Sequence, residues 1–354
     1  MTIARSLVVP PSVEGMYHCI ARCVRRAFLC GKDKVSGNDY EHRKDWVKDR
    51  LQFLSNIFCV DVAGYAVMSN HLHIVLRTRP DRVLGFSDEE AAGRWLLLFP
   101  KRRDENGNPM RPEKREVAAL VAGKKRMVQI RERLSSLSWF MRCVNEFVAR
   151  KANKEDDCKG RFWEGRFKCQ ALLDEAAVLA CMAYVDLNPI RAKMAQTPEM
   201  SDYTSVQDRI WGRESRKEAR RKNTGESRPK NEKVAVEAYR DEWLAPIKDE
   251  GQKERRGVLP LKLDEYLELV EWSGRMLRED KRGKIPQHLA PILQRLQIDR
   301  ENWLNTVEKY GGWFCHAAGR VDSIVKAAKE YGRQWLKGLT TSQVAFTPKR
   351  ELKT

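Results

Sequence analysis

Residues 60–78 constrain this chain more than any other stretch. They read as two strands, 60–68 and 72–78, joined by a tight turn at Ser69-Asn70. The second strand alternates. Leu72, Ile74 and Leu76 share one face, apolar and suited to a core, while His71, His73 and Val75 share the other. Around this pair the pattern predicts a strand at 17–24 and a helix at 39–58, on which Trp46, Arg50, Phe53 and Ile57 step at helical spacing. A second helix follows at 134–153 and an extended stretch at 162–173. Asp174 is the expected N-cap of a third helix. The order β-α-β-β-α-β-α suits an α+β fold, an antiparallel sheet with helices packed on it, of the ferredoxin-like kind.

Composition narrows the partners. The chain has 354 residues, of which 42% are hydrophobic and 33% charged, so it can build a core. Lys and Arg number 67 against 49 Asp and Glu, a net charge of +18. Such an excess favours a polyanion. The longest run without a charged residue, 62–76, is too short and too polar to span a membrane. The apolar stretch before Pro10-Pro11 is too short for a signal peptide core. Nine cysteines are scattered with no CxxC pair, which is neither a disulfide framework nor a zinc ribbon. They read as reduced, mostly buried thiols of a cytoplasmic protein, and Cys19 and Cys23 as core.

Three regions are expected. Residues 15–210 carry the pattern above, interrupted by an insertion at about 80–133. Lys101-Arg102-Arg103 and Lys124-Lys125-Arg126 in that insertion are either a solvated basic face or a DNA-contacting arm. Residues 211–257 read as a charged, flexible linker, with nine basic against four acidic residues in 212–233. Residues 258–338 are helical, with Leu263, Tyr266, Leu267 and Val270 on one face, and 339–354 form a frayed tail.

Two imidazoles side by side on a rigid strand can chelate one divalent metal, and this makes His71 and His73 candidate ligands. His18 reads as a hydrogen-bonded structural histidine. In the helix after Asp174, Val178, Cys181, Met182 and Val185 form the expected core stripe. Tyr184 lies off it. Asn188 is its i+4 neighbour, so both can address one site. Pro189 removes a helix donor and should bend or end the helix at Asn188. Taken without the histidines, Tyr184 is a packing residue and Asn188 a helix stop.

Together these residues resemble the HUH endonucleases with a single catalytic tyrosine, above all the REP-associated tyrosine transposases. The stretches that carry the resemblance are YAVMSNHLHIVL at 65–76, GRFWEGRFK at 160–168 and YVDLNPIRA at 184–192. It covers about residues 15–210; the insertion and the C-terminal region depart from the shortest family members. The resemblance implies a transposase that cleaves and rejoins single-stranded or hairpin DNA through a 5′-phosphotyrosine at Tyr184. It implies a nucleoid-associated protein, monomeric or homodimeric, with metal ligands His71, His73 and Asn188. A His/His/amide set without a thiolate suits Mg²⁺ or Mn²⁺.

A free phenol has a pKa near 10, so ionising it at neutral pH costs about 4 kcal/mol, which the site must offset. A metal on the scissile phosphate contributes by neutralising charge. Arg161, Trp163, Arg166 and Lys168, with Arg191, are the expected DNA contacts, mixing cations with aromatics. Tyr17 is expected in strand packing, Tyr203 in a polar turn, and the Trp272, Trp303 and Trp313 indoles in a small core. Two other classes compete: a domesticated protein that binds DNA or RNA hairpins without cutting, and a water-using metal hydrolase in which Tyr184 is incidental.

Overall fold

The two-residue alternation of residues 71–78 becomes the third strand of one five-stranded sheet. The strands are β1 (Gly15–Arg22), β2 (Val60–Val67), β3 (His71–Thr78), β4 (Lys168–Leu172) and β5 (Ala317–Ala318), in the order β2-β3-β1-β4-β5. The first four pair antiparallel with one another, and β5 runs parallel to β4. The computed structural model describes residues 4–24, 29–33, 37–105, 109–223, 240–249, 255–277, 290–295 and 298–346. The longer helices are α1 (Arg43–Ile57), α2 (Asp88–Leu98), α3 (Lys124–Leu134), α4 (Leu137–Glu155), α5 (Glu175–Asp186), α6 (Ser205–Asn223), α7 (Leu263–Met276) and α8 (Arg300–Trp313). The chain is mixed α+β, with helices on both sides of the sheet.

The two faces of β3 divide the core as their side chains require. Leu72, Ile74 and Leu76 pack with Leu51 and Leu54 of α1 and Phe140, Val144 and Val148 of α4. Phe58 meets Phe140 edge-on at 5.5 Å. Val75 and the alanines Ala63 and Ala66 of β2 pack instead against α5. Truncating a fully buried leucine such as Leu72 to alanine costs about 2–5 kcal/mol. A bulge in β2 between Val62 and Gly64 brings the start of α6 close. A Cβ on Gly64 would lie 3.2 Å from Ser205 Oγ, and that hydroxyl accepts the Tyr65 N–H at 2.9 Å.

The third helix opens at its expected cap, with Asp174 Oδ1 accepting from the Ala177 N–H at 3.0 Å. The expected single core stripe is corrected. Every residue from Ala176 to Asp186 is buried. The side left to solvent by the stripe is covered by α8, where Tyr310 stacks on Tyr184. Asp186, a carboxylate in this otherwise apolar helix, accepts from Ser205 Oγ of α6 and Tyr266 Oη of α7. Burial raises its pKa to about 6 against those hydrogen bonds.

The C-terminal stretch is integrated into the sheet rather than attached beside it. β5 pairs with β4, Arg320 N–H donates to Asp174 Oδ2, and Trp303 Nε1 donates to Ser273 Oγ at 2.8 Å. Tyr266, Leu267 and Val270 form the buried face of α7. The expected boundary at 210/211 falls inside α6, and residues 211–223 of the charged stretch are helical; residues 224–239 and 250–254 lie outside the described residues. The tail is helical over Leu339–Phe346, because Phe346 stacks on Phe314 at 5.7 Å. The insertion also has helices of its own, and Arg102 in its basic run pairs with Glu113 and Glu116. Of the cysteines among the described residues, all are free thiols; Cys19 and Cys23 are buried, while Cys158 and Cys315 are exposed. No described helix is long and apolar enough to cross a membrane.

Candidate functional site

β3 puts His71 and His73 on the face that looks toward α5, and β1 adds His18 and Arg22 beside them. In the antiparallel register Arg22 pairs with His71 and Ile20 with His73. His73 and His18 are buried, whereas His71 is partly exposed. The His71 and His73 rings meet edge-on at 4.7 Å. His18 Nε2 lies 2.9 Å from His73 Nδ1. His71 Nδ1 lies 2.6 Å from the Asn70 side-chain oxygen. An amide oxygen only accepts, so His71 Nδ1 carries the proton and its Nε2 is left with a free lone pair. His73 Nε2 is buried without a partner.

All three histidines are held neutral. Burial depresses His71 to about 4, assisted by the Arg22 charge. Burial likewise brings His18 to about 4, while the Gln170 amide pulls it back upward. His73 is held well below the usual imidazole range, by burial first and then by His18, His71 and Arg191. Uncharged imidazoles are the ligand form for a metal.

Tyr184 sits on the last turn of α5, with 8% of its surface exposed. Its ring packs edge-on against His73 at 5.6 Å and stacks on Tyr310 of α8 at 5.2 Å. The Arg191 guanidinium lies 4.8 Å from the ring centroid. A Cβ built on Gly311 of α8 would be 2.6 Å from the Tyr184 hydroxyl oxygen, so the glycine is what lets α8 lie this close. The other candidate nucleophiles are engaged elsewhere: Tyr17 is buried in the sheet, and Tyr203 Oη donates to Asp45 at 2.7 Å.

Tyr184, His71 and His73 open on one cavity of about 610 Å³. Its wall also carries Arg22, Arg166, Lys168, Arg191 and Lys309 against Glu164 and Glu308. The excess of cations favours an anionic occupant. Helix α5 ends at Asp186, and the chain restarts as a short helix Asn188–Arg191 with Pro189 in its first turn. The break at Pro189 therefore falls where the sequence pointed. Asn188, however, is not part of the cavity wall. Its oxygen accepts a long hydrogen bond from Arg191 Nη1 at 3.4 Å, and its buried Nδ2 has no partner. With His73 donating from Nδ1 to His18, the two Nε2 atoms fit two positions on a divalent ion. Among the described residues no group of three or more His, Cys, Asp or Glu side chains is arranged for one.

The remaining expected DNA contacts separate. Arg166, Lys168 and Arg191 line the cavity, and Arg161 is exposed outside it. Trp163 is buried, with its Nε1 donating to the Asn145 carbonyl at 2.9 Å and its ring edge-on to Phe162. Phe162 and Phe167 are core residues. Sequence reasoning missed Arg22, Glu308, Lys309, Tyr310 and Gly311. Arg22 was accessible, because His18, Ile20 and Arg22 alternate on one strand face. Trp313, expected in a core, packs partly buried against it and also lines the cavity.

No family model matches the chain, and no curated protein matches it. A solved structure of a REP-associated tyrosine transposase bound to a REP hairpin is similar, at 8% identity and a TM-score of 0.33, covering 55% of this chain and 79% of that one.

Proposed function

We propose that this chain is a transposase that cuts and rejoins single-stranded or hairpin DNA, with Tyr184 as nucleophile. The observation that carries this reading is the phenol of Tyr184 packed against His73 in the wall of a cation-lined cavity. The strand order β2-β3-β1-β4, with helices between the strands, is ferredoxin-like in this reading, and β5 is an addition to it. The phenol gives up its proton as its oxygen bonds to phosphorus, and the 3′ oxygen leaves with its electron pair and takes up a proton to become a 3′-OH, which gives a 5′-phosphotyrosine. Attack by another 3′-OH reverses the step and joins strands, because the ester bond energy is retained. Arg22, Arg166 and Lys168 hold the phosphates, while Arg191 lies against the Tyr184 ring and fixes its direction. His71 and His73 would bind Mg²⁺ or Mn²⁺, which supplies charge neutralisation at the phosphate. Asn188 serves as third ligand only if its side chain turns into the cavity, whose wall it does not form.

That last point favours one other reading, a protein that binds DNA or RNA hairpins without cleaving them. Its motivation is the Asn188 oxygen turned onto Arg191 and a tyrosine hydroxyl closed in by Gly311. Incubation with end-labelled single-stranded hairpins and Mn²⁺, then a denaturing gel, separates the two. The proposal expects a shifted protein–DNA band that is absent from Tyr184→Phe. Hairpin binding with no such band in the parent protein supports the second reading.

A further inference from the structure

On the other side of the sheet from Tyr184, α1 and α4 pack side by side, and the segment following α2 closes a groove over them. The groove has a volume of about 870 Å³. Its lining contains Arg50, Phe53, Phe99, Phe147, Arg150, Lys151 and Lys154, with Glu146 as its acidic member. Two of its rings are unusually open: Phe53 is 38% and Phe99 41% exposed. Single exposed apolar residues are ordinary, but here they share one concavity with a row of cations.

The cations and rings are interleaved. The Arg50 guanidinium lies 5.1 Å from the Phe53 centroid and 4.9 Å from that of Phe147. Lys151 Nζ is 5.9 Å from the Phe147 centroid. Arg150 reaches Glu146 at 3.2 Å, one turn away and largely exposed, an ion pair worth little in water. The spacing of Arg150, Lys151 and Lys154 along α4 sets three charges on the rim of the groove.

We infer that this groove is a second DNA-binding surface that takes an unpaired strand. The inference rests on the DNA reading above but uses none of the residues of the tyrosine cavity. Cations along a groove track phosphates in any sequence, and open phenylalanine faces accept bases. A paired base cannot offer its face to Phe99 without leaving the duplex stack, so the groove selects a single strand. An acidic protein surface would meet the charges but make no use of the exposed sides of Phe53 and Phe99.

The test is fluorescence polarisation with a labelled oligothymidylate of about 20 nucleotides, longer than common single-strand site sizes, across a salt series. One variant combines Arg150→Ala, Lys151→Ala and Lys154→Ala; the other is Phe99→Ala. These side chains are exposed, and thermal melts confirm that each variant is folded. The triple variant should flatten the slope of log affinity against log salt by about 2, from roughly 0.7 per phosphate contact on a single strand. Phe99→Ala should weaken binding roughly tenfold at an unchanged slope. Both should still form the Tyr184 adduct at saturating substrate. Unchanged affinity and slope in both variants overturn the inference. So does loss in the triple variant alone with polyglutamate competing as well as oligothymidylate, which marks an acidic-protein surface. If the groove variants lose binding as expected while the parent protein never forms an adduct, the groove stands and the tyrosine chemistry falls.

Discussion

Gly311→Ala should misplace the nucleophile while leaving every proposed phosphate and metal ligand in place. The new Cβ would stand 2.6 Å from the Tyr184 hydroxyl oxygen and 3.3 Å from Cζ, against an ordinary contact of 3.4 Å or more. The oxygen must therefore retreat by about 0.8 Å, the difference between 3.4 and 2.6 Å. Stacking on Tyr310 and the Arg191 guanidinium limit where the ring can go. A displacement near 1 Å costs on the order of 100-fold in a reaction that depends on alignment. Stability should fall by about 1–3 kcal/mol from overpacking, less about 1 kcal/mol gained from alanine in a helix. Tyr184→Phe deletes the oxygen that collides, so in that background Gly311→Ala should become neutral or stabilising. The assay is a double-mutant cycle by urea denaturation, with adduct formation rates measured for the single variant. Strict additivity of the two substitutions, or a wild-type rate in Gly311→Ala, would refute the contact and the positioning argument built on it.

His18→Leu is close in volume but leaves His73 Nδ1 buried and unpaired. It should cost about 1–3 kcal/mol of stability and raise the Mn²⁺ concentration needed for half-maximal cleavage by about 10–100-fold, read from a metal titration. Asn188→Ala should change that requirement less than His73→Ala does, since its oxygen already faces Arg191; equal effects would place the amide at the metal. The histidines bind protons more weakly folded than unfolded, so the unfolded chain takes up more protons between about pH 6.5 and 4, and stability should fall as pH drops through that window. Asp186, raised to about 6, works the other way, because the folded state holds its proton more tightly. Asp186→Asn should therefore steepen the acid loss in urea midpoints, and parallel profiles would contradict the assignment.

The sheet was legible because local pattern and tertiary role agree. Alternation in 71–76 separates a leucine face from a histidine face, and the packing keeps that division. The cap at Asp174 and the break at Pro189 are local chemistry, set by one side chain and one missing donor. What surrounds Tyr184 was not legible. A helix buried on all sides has no polar stripe to reveal which face meets which partner, and α5 is covered by a helix more than a hundred residues later. Gly311 and Glu308 have no motif that marks them, since their role is a close approach and a backbone carbonyl offered to Arg191. Trp163 looked like a stacking residue by composition, yet its N–H is satisfied within the core. The exposed rings at Phe53 and Phe99 line one groove from segments that are distant in sequence, so no window of the chain contains it.

The most direct test of the central claim is mass-spectrometric mapping of the protein–DNA adduct. The protein is incubated with a single-stranded hairpin and Mn²⁺, denatured, digested with nuclease and protease, and searched for a peptide carrying a nucleotide remnant. The account predicts the remnant on the peptide containing Tyr184, joined through its phenol oxygen, and none from Tyr184→Phe. A remnant on the peptide of Tyr17 or Tyr203, or an adduct that survives in Tyr184→Phe, would contradict it.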